Sequence, residues 1–482
     1  PAAKMQQQKE RRYSKMPEGE VFLGGTISPG TDFMMRLDTA IRKWLSKDDG
    51  LFPEKVIYSS HLCPGEGEHK IFDFIRNRDL NNSKGNHVIY GADGDLFIIS
   101  FFSPLRNIYL FQEVREEYYN IEKLKQEITK DLSYKPLTKS IDPQVLRDFC
   151  FLTFLIGNDF IHRLPNLYDT KLSMDILMEL YKKNGKDLTN FKHEIKWKNF
   201  LSLLKLLRDY KIGGMNMYEF SAYSSFSGGF HNKDWLTYPE IKNAITLKTI
   251  RGEEAGDVNY DPKIHTLNFD IRKFAKGWYE KQFKPKTEVM VKLYDGDKFF
   301  TRNDVANMCK FYCKILQWAL YYYNMGDKRI SKFLFYPFFY TPLLESLISY
   351  LDSEKSLDEP SFVKGILTNS DYGLTVIHQL MLILPPSNKM LIPSPFRELY
   401  VSKLASISPT NYISIPQEGI DVNYKNTKII PPVNPFLVKK VINMSGEKIP
   451  VEYQSVSPLI IIKKQKVIKK GVGYSVTQKE LI

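Results

Sequence analysis

Cysteine is scarce in this chain: Cys63, Cys150, Cys309 and Cys313 are the only four among 482 residues. They form no C-x-x-C pair, and so few thiols in so long a chain exclude a disulfide framework and favour a reducing compartment. Long apolar runs are missing too, since none approaches the roughly 18 residues of a membrane-spanning helix. No secretory signal pattern opens the sequence. A soluble, intracellular protein is therefore expected, cytoplasmic or nuclear, with no membrane partner. Acidic residues are the minority charge, 55 Asp plus Glu against 68 Lys plus Arg, leaving a net charge of +13. The resulting positive field favours polyanions, with nucleic acid the first candidate and an anionic membrane surface the second. There is no internal repeat and no coiled-coil heptad. Methionine is absent from the first position, which is Pro1.

Apolar residues make up 43% of the chain and aromatics 13%, enough to bury two or three packed lobes at this length. The first half alternates short apolar runs with helical patterns. Val56 to Ser60, His87 to Gly91, Leu96 to Ser100 and Asn107 to Phe111 read as strands, being short, β-branched or aromatic, and bounded by turn residues. Asp32 to Leu45 places Phe33, Leu37, Ile41, Trp44 and Leu45 on one helical face, and a second helix is predicted from about Gln144 to Ile156. This alternation implies an α/β fold with a mainly parallel sheet, whose functional residues gather at the carboxyl ends of strands. Beyond about Phe220 the texture changes. Ser221 to Gly229 and Arg251 to Asp257 read as loops, and aromatic-rich helices follow, the strongest at Met308 to Asn324. From Leu384 the chain is punctuated by proline, which favours extended connections, and the basic cluster of Ile461 to Lys470 is expected to fray.

Three short motifs concentrate carboxylates. Glu66-Gly67-Glu68 lies in a turn with Pro64 and Gly65 ahead of it, Asp93-Gly94-Asp95 follows the run His87–Gly91, and Asp159 closes Gly157-Asn158-Asp159 after a buried helix. In extended backbone, residues i and i+2 face the same side, so each pair can present two carboxylates to one space. Five acidic groups in a small volume repel one another unless a cation neutralises them. Mg2+ or Mn2+ suits oxygen donors, and two such ions about 3.5–4 Å apart clamp a phosphodiester. Singly each motif has an ordinary reading: the glutamates as first-turn residues favouring a helix dipole, D-G-D as a turn, His69 as a helix-start residue.

The amino-terminal segment Lys4 to Arg12 has high helix propensity. On a helix Lys4, Gln8 and Arg11 stack at i, i+4 and i+7 with Arg12 beside them. Two guanidiniums, an amide and an ammonium on one stripe suit a phosphate, although a solvated basic tail shares the pattern.

Together these segments resemble the Xrn-type 5′→3′ exoribonuclease family. AKMQQQKERR is similar to its phosphate-pocket helix, PGEGEHKIFDFIR to its Glu-x-Glu element, IYGADGDLFII to its Asp-x-Asp strand end and FLIGNDFIHRLPNL to its last acidic element. LQWALYYYNMG, FLFYPFFYTPLLESL and LPPSNKMLIPSPFREL resemble its second characteristic region, and the matches run in family order from Lys4 to about Phe436. The resemblance implies a PIN-like nuclease core over residues 1–220, a largely helical region over 221–440 that walls the active site, and a basic tail over 441–482. It implies processive hydrolysis of single-stranded RNA from a 5′-monophosphate end to mononucleotides, and hence RNA degradation. Glu66, Glu68, Asp93, Asp95 and Asp159 become catalytic metal ligands or their close supports for two Mg2+ or Mn2+ ions. Lys4, Gln8, Arg11 and Arg12 become the receptor for the terminal phosphate. A pocket sized for one phosphate would exclude capped or triphosphate ends.

Two departures accompany the resemblance. The family's segment ahead of this helix carries further acidic ligands and a base-stacking histidine, which here would precede Pro1, so the metal site of the chain as written is expected to be incomplete and its activity weak. Where the family has S-W-x-W before Y-P, this chain has Ser331-Lys332-Phe333-Leu334. Two other functions compete with the exoribonuclease: a flap-type DNA nuclease of the same broad fold, and a catalytically silent RNA-binding or scaffold protein.

Overall fold

A computed structural model describes residues 1–13, 24–47, 53, 55–77, 85–91, 93–167, 170–212, 214–217, 245–250, 264–269, 271–283, 302–326, 329–368, 373–415, 427–468 and 471–480. In chain order the helices are α1 (Ala2–Arg12), α2 (Asp32–Leu45), α3 (Gly67–Asn77), α4 (Asp95–Phe102), α5 (Ile121–Leu132), α6 (Pro143–Leu155), α7 (Thr170–Asn184), α8 (Trp197–Asp209), α9 (Ile271–Phe283), α10 (Arg302–Met325), α11 (Leu344–Ser353), α12 (Val376–Ile383), α13 (Phe396–Lys403) and α14 (Pro435–Ser445). The strands are β1 (Lys55–Tyr58), β2 (His87–Tyr90), β3 (Ile108–Gln112), β4 (Glu117–Asn120), β5 (Lys211–Ile212), β6 (Met215–Asn216), β7 (Ile245–Ile250), β8 (Ile264–Phe269), β9 (Ile413–Ile415), β10 (Thr427–Ile429), β11 (Leu459–Ile468) and β12 (Gly471–Glu480). The fold is mixed α/β, mostly helical with small sheets. It divides into two compact units, one of Pro1–Leu80, Ser370–Ser414 and Lys428–Ile482, the other of Asn81–Asn369 and Ile415–Thr427.

In the first unit α1 packs on α12, burying Ala2, Ala3, Met5 and Lys9. α2 has the predicted bounds because Thr31 caps it, its hydroxyl accepting from the Met34 N–H at 3.4 Å. Of its expected apolar face, Leu45 is buried against Leu459 and Ile461, with Ile41 packed on that cluster, while Leu37 and Trp44 are exposed. β1 pairs antiparallel with β11, Val56 opposite Ile461, and β11 pairs antiparallel with β12. The basic segment expected to fray is thus strand over most of its length. The proline-punctuated stretch is extended only in part: Leu384, Pro385 and Ile392 are extended, but a 3-10 helix forms at Pro386–Leu391 and α13 follows.

In the second unit β2, β3 and β4 form one sheet, β2 with β3 parallel and β3 with β4 antiparallel. That parallel pair is the extent of the expected parallel sheet among the described residues. Leu96 to Ser100, predicted as strand, is helix α4, with Leu96, Ile99, Ser100 and Phe101 buried. A short run that is apolar all round satisfies either conformation once it is enclosed. α6 spans the second predicted helix, and its Asp148 is wholly buried. α10 forms the core of this unit, where Met308, Tyr312, Ile315, Leu316 and Trp318 are all fully enclosed. The loops predicted at Ser221 to Gly229 and Arg251 to Asp257 lie outside the described residues.

Candidate functional site

The predicted stripe on α1 forms as a helix should place it, and Lys4, Gln8 and Arg12 are held by the protein. Lys4 Nζ lies 3.0 Å from Glu66 Oε2, both side chains largely enclosed. Gln8 Oε1 accepts from Gln379 Nε2 of α12 at 2.9 Å. Arg12 donates from Nε to Ser28 Oγ at 3.2 Å and from Nη2 to the Ile27 carbonyl at 3.0 Å. Burial, with the charge of Arg11 beside it, lowers the pKa of Arg12. Arg11 is exposed. Around the helix from this stripe sits a residue the pattern did not single out: Lys9 is 0% exposed. Its ammonium donates to the carbonyls of Ile407 at 2.5 Å and Pro431 at 2.8 Å, and burial pushes its pKa down to about 7. A charge enclosed with no carboxylate partner among the described residues is costly, so this lysine ties α1 to two chain segments roughly 400 residues away at the expense of its own ionisation.

The turn before α3 is made possible by Gly65, at φ +98°, a conformation that suits glycine. Helix α3 begins at Gly67, so Glu68 lies in its first turn and the Glu66 carbonyl accepts from the Lys70 N–H at 2.9 Å. The first-turn reading is the realised one; the extended i, i+2 geometry is not. Both glutamates are half-buried and His69 is buried. Lys70 turns back to the Ser60 carbonyl at 3.2 Å, and burial lowers its pKa.

Beyond the carboxyl end of α1 opens a cavity of about 790 Å3, lined by Arg11, Arg12, Tyr13, Lys389, Tyr400 and Tyr412 among others. Its size falls within the roughly 300–1,000 Å3 of pockets that hold drug-sized ligands. A single phosphate needs far less.

In the second unit Asp93 follows β2, and its Oδ1 accepts from the Asp95 N–H at 3.1 Å where α4 starts. This pair too is a helix entry and not extended backbone. Asp95 Oδ1 accepts from Tyr323 OH at 3.1 Å. After α6 the chain reverses through Gly157, at φ +94°, and Asn158 Oδ1 accepts from the N–H groups of Phe160 and Ile161 at 2.9 and 3.1 Å. That turn leaves Asp159 half-buried at its tip. Phe160 packs edge-on against Trp318 and Tyr322 and lies 6.0 Å from the Tyr323 ring. Asp95 and the residue beside Asp159 therefore both rest on Tyr323. At the position of the family's S-W-x-W, Ser331 and Leu334 are buried, and the Ser331 carbonyl accepts from Trp318 Nε1 at 2.8 Å.

The predicted ligands are all carboxylates, the donor type that hard divalent cations take. Among the described residues, however, no three carboxylate, imidazole or thiolate groups are gathered as a metal ion would require. Lys4 already supplies a positive charge to Glu66. No described helix is long and apolar enough to cross a membrane.

Comparison with known proteins adds an independent observation. The family described as "XRN 5'-3' exonuclease N-terminus" matches residues 1–114, and "Xrn1 helical domain" matches residues 140–209 and 237–435. The 5'-3' exoribonuclease 1 of Saccharomyces cerevisiae is 24% identical over 550 residues, covering 84% of this chain and 35% of its own length. The human 5'-3' exoribonuclease 1 is 25% identical over 467 residues, covering 84% of this chain and 26% of its own. The 5'-3' exoribonuclease 2 of Arabidopsis thaliana is 30% identical over 229 residues, or 36% of this chain and 22% of its own. The chain thus spans well under half the length of these relatives.

Proposed function

Because the chain belongs to the XRN 5'-3' exonuclease family, we propose that it is a metal-dependent exoribonuclease that degrades single-stranded RNA from a 5′-monophosphate end to mononucleotides. The observation that supports this best is the ordered basic stripe of α1, tied by the Lys4–Glu66 pair to the turn that carries Glu68. Lys4, Gln8, Arg11 and Arg12 hold the terminal phosphate, the arginines through bidentate donors. Glu66, Glu68, Asp93, Asp95 and Asp159 are the ligands, or their supports, for Mg2+ or Mn2+, two ions in number. Bound divalent ions would activate water and neutralise the leaving oxygen. Within the chain itself, Tyr323 orients Asp95 by donating to one oxygen, Asp93 fixes the entry of α4, and Gly157 with Asn158 presents Asp159.

The proposal extends to organisation and place: a PIN-like nuclease core over 1–220, a helical region over 221–440, a basic tail over 441–482, and action inside the cell. In the complete natural protein, Arg11→Ala with Arg12→Ala removes charge-assisted bonds worth roughly 1.5–3 kcal/mol each. The loss should fall on 5′-monophosphate RNA and spare 5′-hydroxyl RNA, whereas Glu68→Gln should slow both alike. Initial rates on the two RNA ends at fixed salt, with and without EDTA, decide the matter. Equal losses on both ends sink the phosphate assignment. Cleavage of matching DNA in place of RNA points to a flap-type nuclease, and RNA binding without metal-dependent cleavage points to a scaffold.

A further inference from the structure

Two cations of the α1 stripe are held in electrically different ways. Arg12 donates to the Ser28 hydroxyl and the Ile27 carbonyl, neutral acceptors that fix a guanidinium without cancelling its charge. Lys4 instead meets a carboxylate, that of Glu66, at 3.0 Å, with side-chain exposures of 15% and 22%. At that separation the two opposite charges largely cancel beyond the pair. The pairing passes over a lysine nearer in sequence. Lys70 stands four residues after Glu66, the spacing at which neighbours on a helix pair, yet it turns to the Ser60 carbonyl at 3.2 Å. Glu66 reaches a cation on another helix, from the turn that Gly65 makes at φ +98°. A phosphate approaching Lys4 therefore meets Glu66 as well, attracted by the ammonium and repelled by the carboxylate beside it.

We propose that Glu66 is a specificity-determining residue that holds Lys4 in reserve: recognition of a 5′-phosphate is weak while the pair is closed and strengthens when the charge of Glu66 is taken up. The proposal rests on the reading of Lys4 as part of the phosphate receptor and adds what governs its availability. Lysine suits such an exchange, because its ammonium is a point charge on a flexible four-carbon stem and can swing between oxygen partners without the fixed fork of an arginine. Glu66, not the neighbouring Glu68 in the first turn of α3, is the carboxylate that Lys4 meets. In the metal-dependent reading the charge of Glu66 is taken up by a divalent cation, and linkage makes the two events assist each other: an occupied carboxylate releases Lys4, and a phosphate that draws Lys4 away leaves the carboxylate open.

Binding in EDTA separates the pair from catalysis. Short oligoribonucleotides that differ only in a 5′-phosphate or 5′-hydroxyl end are titrated against the complete natural protein at fixed salt, and the ratio of the two dissociation constants is read. Glu66→Gln keeps the shape of the side chain and removes its charge, so it should raise the preference for the 5′-phosphate roughly fivefold, the upper range for one ion pair near the surface. Glu66→Ala, which removes the acceptor altogether, should do the same. Glu68→Gln makes an equal change of charge two residues on and should leave the ratio at the parent value. Adding Lys4→Met to Glu66→Gln should erase the gain. A ratio that rises equally in both glutamine variants, or a gain that survives Lys4→Met, overturns the proposal, because general charge and not the pair would then be responsible. An unchanged ratio in both Glu66 variants overturns it too. If the parent then still prefers the 5′-phosphate, only the reserve role of Glu66 has failed; if the parent and every variant bind the two ends alike, the phosphate-receptor reading falls with it.

Discussion

Two buried charges show what a single residue controls. Lys9 is enclosed with carbonyls as its hydrogen-bond acceptors, and burial brings its pKa from 10.5 to about 7. Between those values the unfolded chain keeps a proton that the folded chain has released, so this group makes stability rise with pH across that window, by at most about 1.4 kcal/mol per pH unit. Below about pH 7 the full cost of burying the ammonium remains. Lys9→Met should remove this slope: urea unfolding at several pH values should show the parent gaining on the variant as pH rises, and a constant difference would refute the assignment. Asp148 is the opposite case, a buried carboxylate accepting from Gln144 Nε2, Tyr181 OH, the Leu188 N–H, and both the N–H and hydroxyl of Thr189. Desolvation nevertheless holds its pKa above the ordinary aspartate value. Asp148→Ala leaves these donors unmet at ~1–3 kcal/mol apiece, so the melting temperature should drop sharply. An unchanged melt would show that the donors find other acceptors.

Among the elements, those whose signal is local were legible. The bounds of α2 follow from its cap and periodicity, and the α1 stripe from i, i+4 spacing. α4 was not, because LFIIS is apolar on every side and the deciding feature, the Asp93 carboxylate accepting from the Asp95 N–H, reads equally well as a turn. The acidic and basic residues of the candidate site were named by type, but their partners were hidden. Glu66, Gln379 and Ser28, which hold the α1 stripe, are separated from it by 16 to 371 residues of chain or by an intervening turn. The cavity wall at 385–412 carries no pattern of its own, and Lys9 looked like one more surface cation. One glycine tests how tightly these elements fit. Gly30 has φ +90°, and a Cβ there would lie 2.8 Å from Val376 Cγ2 at the start of α12. Gly30→Ala should cost more than the ~1 kcal/mol of conformational strain alone. It should also loosen α1 through α12, read as faster amide exchange of Met5 to Arg12; protection unchanged from the parent would uncouple the two helices.

For the molecule as a whole the charge excess of +13 sets a salt dependence. Binding of single-stranded RNA in EDTA should fall linearly on a logarithmic salt axis, by about 0.7 per phosphate contact. Arg11→Ala with Arg12→Ala should flatten that slope by about one to two contacts. An unaltered slope would place the RNA backbone elsewhere. The class of the fold was legible at this scale, but its division into units was not: contacts between distant chain segments, such as β1 with β11, leave no mark on composition or periodicity.

That pairing bears on synthesis at the ribosome. A chain emerges from its amino end, and domains ordinarily fold as units in that order. The unit that holds α1 also needs Ser370–Ser414 and Lys428–Ile482, so α1 is made well before segments on which it packs. Lys9 has no carbonyls to hold until Ile407 and Pro431 have emerged. A nascent chain stalled before that point carries an exposed cationic helix with no settled seat, whereas the finished chain has locked it in place.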